Sequence, residues 1–283
     1  MILGWTHDDG AMNAGPSIQT EDDMISPIKA FAHALSPEQY SKLFSLYKPE
    51  EFEEEFNNYQ SRKSSNDPEM TINFFRASRI IRDLLFTCSS IDFGLEMTKQ
   101  SRELDPDFSG VRLYDLNQSA LSTMFQKAGM PYVQIPHGSD TNYIFNGILP
   151  ETNGEMSAKD RELSEMFALS LINFAWNGNP NARGNSAKRF SEWPNAYGES
   201  GDPTASDLSI QIIGGPYGTG SVSLSRKAKP DIEGLGEQQV LAEDFAYGEM
   251  KSASSLMRQR LLEQEKLFER CEYIKSLSEA LGV

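Results

Sequence analysis

ILGWTHDDG, residues 2–10, opens the chain with an apolar run, Ile2 to Trp5, that leads into Asp8-Asp9-Gly10. The run reads as a core strand and the Asp-Asp-Gly as a turn, so a functional side chain there would sit just past a strand's C-terminal edge. Met1 enters this strand with no preceding turn or cap, and the expectation is a chain that starts inside its fold. His7-Asp8-Asp9 combines metal-ligating residue types, but three adjacent side chains cannot all face one ion from regular structure. No further His or Cys cluster completes a site, so no metal is expected. Asp9 itself has two readings: a carboxylate that accepts an imidazole N–H, or a turn aspartate bonded to its own backbone.

Outward from this strand the pattern is largely helical. Ser36 is placed to cap a helix, with Pro37 at its first position, Gln39 completing a capping box and an end near Tyr47. The acidic run PEEFEEEF, residues 49–56, is expected to be a solvated helix face without a partner. Ile72, Phe75, Ile80, Leu84 and Leu85 recur at helical spacing with Arg76, Arg79, Arg82 and Asp83 between them, which predicts an amphipathic helix over 71–85. VRLYDL, residues 111–116, alternates like a strand. Residues 158–176 read as a helix halted by Gly178-Asn179-Pro180, with its apolar run, Met166 to Trp176, as a core helix. Residues 198–248, rich in Gly, Ser and Pro, are expected to be loops or a poorly ordered insertion, and residues 252–281 a long amphipathic helical stretch.

Bulk composition excludes some partners. Hydrophobic residues make up 39% and charged residues 24%, which is globular composition. With 41 acidic against 26 basic residues the net charge is -15, so nucleic acid is an unfavourable partner. The longest apolar run, Met166 to Trp176, contains Ser170 and Asn173 and is too short to cross a bilayer. The opening residues also lack the basic and apolar regions of an export signal.

Three histidines leave few candidates for acid–base chemistry. His33 reads as structural or exposed. His137 lies in PYVQIPHGSDTNYIFNG, residues 131–147, where Pro136 and Gly138 place it in a loop between apolar segments. It is either a loop histidine bonded to a backbone carbonyl or a general base near pH 7. Two cysteines 183 positions apart are, by count alone, more often free thiols than a bridge.

Five segments, in order, resemble type B carboxylesterases, cholinesterases and fungal lipases. ILGWTHDDG is similar to the family's strand and acid loop, which ends in D-E-G, with Asp9 in the place of the glutamate. HGSDTNYIFNG resembles the segment that carries the catalytic histidine, here His137, with Gly138 and Asp140 also matching. NFAWNGNPN, residues 173–181, followed by Trp193-Pro194, resembles a helix-end pattern of the family. DLLFTCSSIDFG, residues 83–94, and LFERCEYIKSL, residues 267–277, resemble the regions that carry a disulfide, which implies a Cys88–Cys271 bridge.

The resemblance implies an α/β-hydrolase fold, with residues 1–283 as the C-terminal portion of one domain: the last strands of its central sheet and the surrounding helices. It implies Asp9 as triad acid and His137 as general base of a carboxylic ester hydrolase acting on small-molecule esters or lipids without a cofactor. In this fold the triad runs Ser, then acid, then His, with the serine in a G-x-S-x-G elbow. No G-x-S-x-G occurs in the sequence; Gly218-Thr219-Gly220-Ser221 has the wrong spacing and reads as loop. The nucleophile and oxyanion hole are therefore expected in an N-terminal half that these residues do not include. The alternative is a cholinesterase-like protein that has lost catalysis and serves in interaction or adhesion. The family and its disulfide imply secretion, and Asn117-Gln118-Ser119 is a glycosylation sequon consistent with it.

Overall fold

Residues 2–6 do form a strand. In the computed structural model, which describes residues 1–147, 156–181, 190, 192–198, 207–226 and 253–282, β1 (Ile2–Thr6) pairs in parallel with β2 (Arg112–Leu116). β3 (Asp207–Ile213) lies parallel to β2, and β4 (Gly220–Ser225) returns antiparallel to β3, giving the order β1-β2-β3-β4. The sheet is mixed, with helices around it.

The last two strands correct the expectation of loops over 198–248. Leu208, Ile210 and Ile212 in β3, and Val222 and Leu224 in β4, are buried alternate residues that turn one face toward the core. Ser209 and Gln211 in β3, and Ser221, Ser223 and Ser225 in β4, take the intervening positions, and Gly214 and Gly215, both with positive φ, make the turn. Gly220 and Ser221, read as loop, begin β4. The remainder of that stretch, 199–206 and 227–248, lies outside the described residues.

The helices run in chain order as α1 (Ile25–Lys29), α2 (Pro37–Ser45), α3 (Glu53–Arg62), α4 (Ile72–Arg82), α5 (Cys88–Leu104), α6 (Ser122–Lys127), α7 (Ser139–Ile144) and α8 (Ala158–Asn177). α9 (Ala253–Gln264), α10 (Leu267–Ser276) and α11 (Ser278–Leu281) follow the strands. Ser36 caps α2 with the full capping box, and α8 stops at Gly178, whose φ is 67°. The continuous helix expected over 252–281 is instead broken before α10 at Lys266, which adopts the left-handed region at φ 47°.

Two expectations about charge are overturned. α4 is not amphipathic in the ordinary sense: Phe74 to Arg82 are all buried, arginines included. α4 passes through a wide π-type turn, Asp83–Thr87, into α5. The acidic run is not a solvated face without partners, because Glu51 pairs with Arg270 at 2.8 Å and Glu55 with Arg79 at 2.5 Å. At the centre is Glu265, which pairs with Arg79, with Arg82 at 2.7 Å and with Arg270 at 3.5 Å. Arg82 also pairs with Asp83 at 2.7 Å, and the Tyr47 hydroxyl donates to Asp83 at 2.8 Å. These guanidiniums tolerate burial because carboxylates and carbonyls satisfy them.

Residues on opposite faces of the sheet enter separate cores. Trp5, Leu113, Ile210 and Ile212 pack with Leu262 of α9 on one side; Tyr114, Leu116 and Ile213 pack with Phe167 and Trp193 on the other. Trp193 donates its indole N–H to the Leu113 carbonyl at 3.0 Å, and Asn181 brackets its backbone. α8 corrects the expectation of a core helix. Only Leu163, Ser164, Phe167 and Ser170 are buried, while Ile172 is 53% and Trp176 83% exposed.

Candidate active site

The chain leaves β1 through a tight turn in which the Asp9 N–H donates to the Thr6 carbonyl at 3.2 Å and the Thr6 N–H donates to Asp9 Oδ2 at 2.8 Å. That backbone bond fixes the Asp9 carboxylate beyond the strand end. Gly10 lets the turn press against α4: a Cβ there would meet the Ser78 carbonyl oxygen at 2.0 Å. The second loop, 131–138, is tied to the first by Asp8. The Asp8 N–H donates to the Ile135 carbonyl at 3.1 Å, and the Ile135 N–H donates to Asp8 Oδ2 at 3.0 Å. This clasp sits one residue before Asp9 and two before His137. Gly138, at φ 83°, then turns the chain into α7.

The outcome is a carboxylate–imidazole pair across 128 positions of sequence. His137 Nδ1 lies 2.8 Å from Asp9 Oδ1. Asp9 is buried at 2% exposure, whereas the His137 side chain is 63% exposed. Burial raises the Asp9 carboxyl above its ordinary value, although the bonds from Thr6 and His137 pull it the other way. Phe86, from the π-type turn, stacks on the imidazole with centroids 4.9 Å apart and planes at 27°. No described residue bonds His137 Nε2. A ring held at Nδ1 by a buried carboxylate, with its Nε2 side exposed, is arranged to take a proton from a hydroxyl presented there.

The three side chains of His7-Asp8-Asp9 diverge, so they do not share one ion. His7 Nε2 lies 3.1 Å from Arg79 Nη2, Asp8 reaches Ile135, and Asp9 reaches Thr6 and His137. His33 is exposed. Cys88 and Cys271 are joined as a disulfide between the start of α5 and α10. Asn117 is half-buried and donates its N–H to the Ile213 carbonyl at 2.9 Å. Asp140 accepts the Tyr114 hydroxyl at 2.8 Å. The Asp8 clasp and the Phe86 stack escape sequence reading, because nothing local in DLLFTC or THDDG says which loop each side chain will meet.

The carboxylesterase family model matches residues 1–211, and the chain belongs to that family. An inactive carboxylesterase-like protein, VdtD, of Byssochlamys spectabilis is 30% identical over 200 residues, covering 70% of this chain and 32% of VdtD. A secreted lipase of Arthroderma benhamiae is 23% identical over 220 residues, 76% of this chain and 33% of the lipase. The crystal structure of Aspergillus niger EstA superposes with a TM-score of 0.57 at 15% identity, covering 100% of this chain and 40% of EstA, which establishes the α/β-hydrolase fold. The chain spans about a third of the length of the curated relatives it matches.

Proposed function

We propose that residues 1–283 supply the acid and the base of a Ser-His-Asp ester hydrolase whose nucleophile and oxyanion hole belong to a segment outside them. The observation that carries this reading is the 2.8 Å contact between His137 Nδ1 and the buried Asp9 carboxylate. In the assembled enzyme a serine attacks the ester carbonyl, His137 takes its proton through Nε2 and returns it to the leaving alcohol, and Asp9 holds the imidazolium that forms. The absence of G-x-S-x-G from the sequence supports a nucleophile outside these residues. Two structural features support a missing part of the same domain. Among the described residues β1 is an edge strand in which Ile2 and Leu3 are only half-buried, and Phe145, Ile172 and Trp176 are exposed.

Substrates in this reading are small-molecule esters or lipids, as the family suggests, and secretion is supported by the disulfide and by the secreted lipase among the relatives. Glycosylation at Asn117 belongs to the same reading. Among the described residues no helix is long and apolar enough to cross a membrane. The relative described as inactive favours a second reading, a non-catalytic cholinesterase-like interaction protein. Retention of both Asp9 and His137 in contact argues for the first.

The test is an assay of the purified 283-residue chain with p-nitrophenyl butyrate. The expected result is no turnover above background and no effect of an organophosphate, because triad members act as a unit. Organophosphate-sensitive turnover would place a working serine inside these residues and sink the proposal.

A further inference from the structure

Asp9 and His137 reach each other from two loops 128 positions apart, and their contact joins a buried carboxylate to an imidazole that is 63% exposed. One hydrogen bond to so exposed a ring is worth no more than the entropy lost on ordering a single loop residue. The pair therefore depends on whatever else holds the two loops in register.

Asp8 supplies that tie. Its N–H donates to the Ile135 carbonyl at 3.1 Å while the Ile135 N–H donates to Asp8 Oδ2 at 3.0 Å, so one residue closes a two-bond ring with the histidine loop. The second of these bonds has an ionised acceptor and is roughly twice as strong as a neutral one. The acid loop is a stiff base for it. The Ala11 N–H donates to the Asp8 carbonyl at 2.9 Å, the Asp9 N–H donates to Thr6, and Gly10 lies against the backbone of α4. Apart from this ring and the Asp9–His137 contact, no hydrogen bond among the described residues joins 6–11 to 131–138. Ser122 holds the histidine loop from another direction, donating its hydroxyl to the Gln134 carbonyl at 2.7 Å without reaching the acid loop.

We infer that Asp8 is a positioning residue for the Asp9–His137 pair, its carboxylate holding the histidine loop to the acid loop through the Ile135 N–H so that the imidazole meets the Asp9 carboxylate. Catalytic groups have to be kept within about 0.5 Å of their working geometry. Asp8 adjoins Asp9 and Ile135 lies two residues from His137, so slack in the clasp passes directly to the pair. The role is one of hydrogen bonding rather than charge. His7, Glu55 and Arg79 also act electrostatically on the Asp8 carboxylate, but none of them belongs to the histidine loop. The inference rests on the ester-hydrolase reading, which gives the pair its purpose.

The ratio of Nδ1–H to Nε2–H tautomers at His137, read by nitrogen-15 NMR of the histidine-labelled chain at slightly alkaline pH, tests it. In Asp8→Ala the ratio should fall about fivefold, the factor that one hydrogen bond carries. Asp8→Asn, which keeps an acceptor oxygen and drops the charge, should hold the wild-type ratio. Ser122→Ala, which loosens the same loop without touching the clasp, should hold it too. Exchange of the β2 and β3 amides at wild-type rates shows that the alanine variant is folded. If it is not, an ester in place of the Gln134–Ile135 amide removes the same donor with every side chain intact, and should give the same fall. An unchanged ratio in Asp8→Ala or in the ester, or an equal fall in Asp8→Asn or Ser122→Ala, would overturn the inference. A wild-type His137 that is mainly Nε2–H would instead overturn the ester-hydrolase reading, and with it the pair that Asp8 is held to position.

Discussion

Replacing Glu265 with alanine should cost roughly 3–5 kcal/mol of folding stability at pH 7, enough to unfold a marginal domain. Three buried or nearly buried guanidiniums, Arg79, Arg82 and Arg270, converge on this one carboxylate. Without it their charges remain desolvated, and the loss of compensation outweighs anything gained by shortening the side chain. The effect has a pH signature. Burial alone would raise the Glu265 carboxyl, but the charges of Arg79, Arg82 and Arg270 hold it well below the ordinary 4.5. A carboxyl whose folded pKa is depressed stabilises the protein above its unfolded pKa and loses that contribution as pH falls through the folded one. The gap between wild type and variant should therefore be full at pH 7 and shrink progressively below about pH 4.5. Urea denaturation across this range measures it; a gap that does not change with pH would mean that Glu265 matters for packing rather than charge.

The second large effect concerns the bridge between Cys88 and Cys271, which closes a sequence separation of 183. The chain-entropy account assigns a loop of that length about 5 kcal/mol, with measured losses of native bridges running from about 2 to 5 kcal/mol. The double replacement Cys88→Ala, Cys271→Ala should lower the denaturation midpoint accordingly, and reductant should do the same to the wild type. A reduced protein as stable as the oxidised one would show that packing of α5 against α10 suffices without the covalent link. The bridge starts two residues after Phe86, the ring stacked on His137, so its loss should also be felt at the imidazole.

Local patterns carried much of this architecture. The acid loop is legible because a strand followed by Asp-Asp-Gly can only turn, and the histidine loop because Pro136 and Gly138 bracket it. The Ser36 capping box and the Gly178 stop depend on residues three or four apart, and these too are readable. What escaped is set by partners far away in sequence. The arginines of α4 look like a polar face until Glu265, 186 positions from Arg79, enters the same interior. Glu51 and Glu55 look solvated until α10 and α4 close on them. β3 and β4 are obscured for a different reason: the polar residues between their apolar ones, Ser209 and Gln211 in β3 and serine at every second position in β4, imitate loop composition, although the alternation with Leu208, Ile210, Val222 and Leu224 is that of strands. Motif resemblance names Asp9 and His137 as candidates, and the fold brings the two into contact. The clasp by Asp8 and the stack by Phe86 arise only from packing.

The proposed role of His137 rests on one ring nitrogen. Asp9 accepts a bond at Nδ1, so the neutral imidazole should carry its proton there and leave Nε2 with a free lone pair for a serine hydroxyl. Nitrogen-15 NMR of histidine-labelled protein near pH 8 reads this directly. His137 should be the Nδ1–H tautomer, with that preference lost in Asp9→Leu. A His137 that is predominantly Nε2–H in the wild-type chain, or whose tautomer ignores the loss of Asp9, would contradict it.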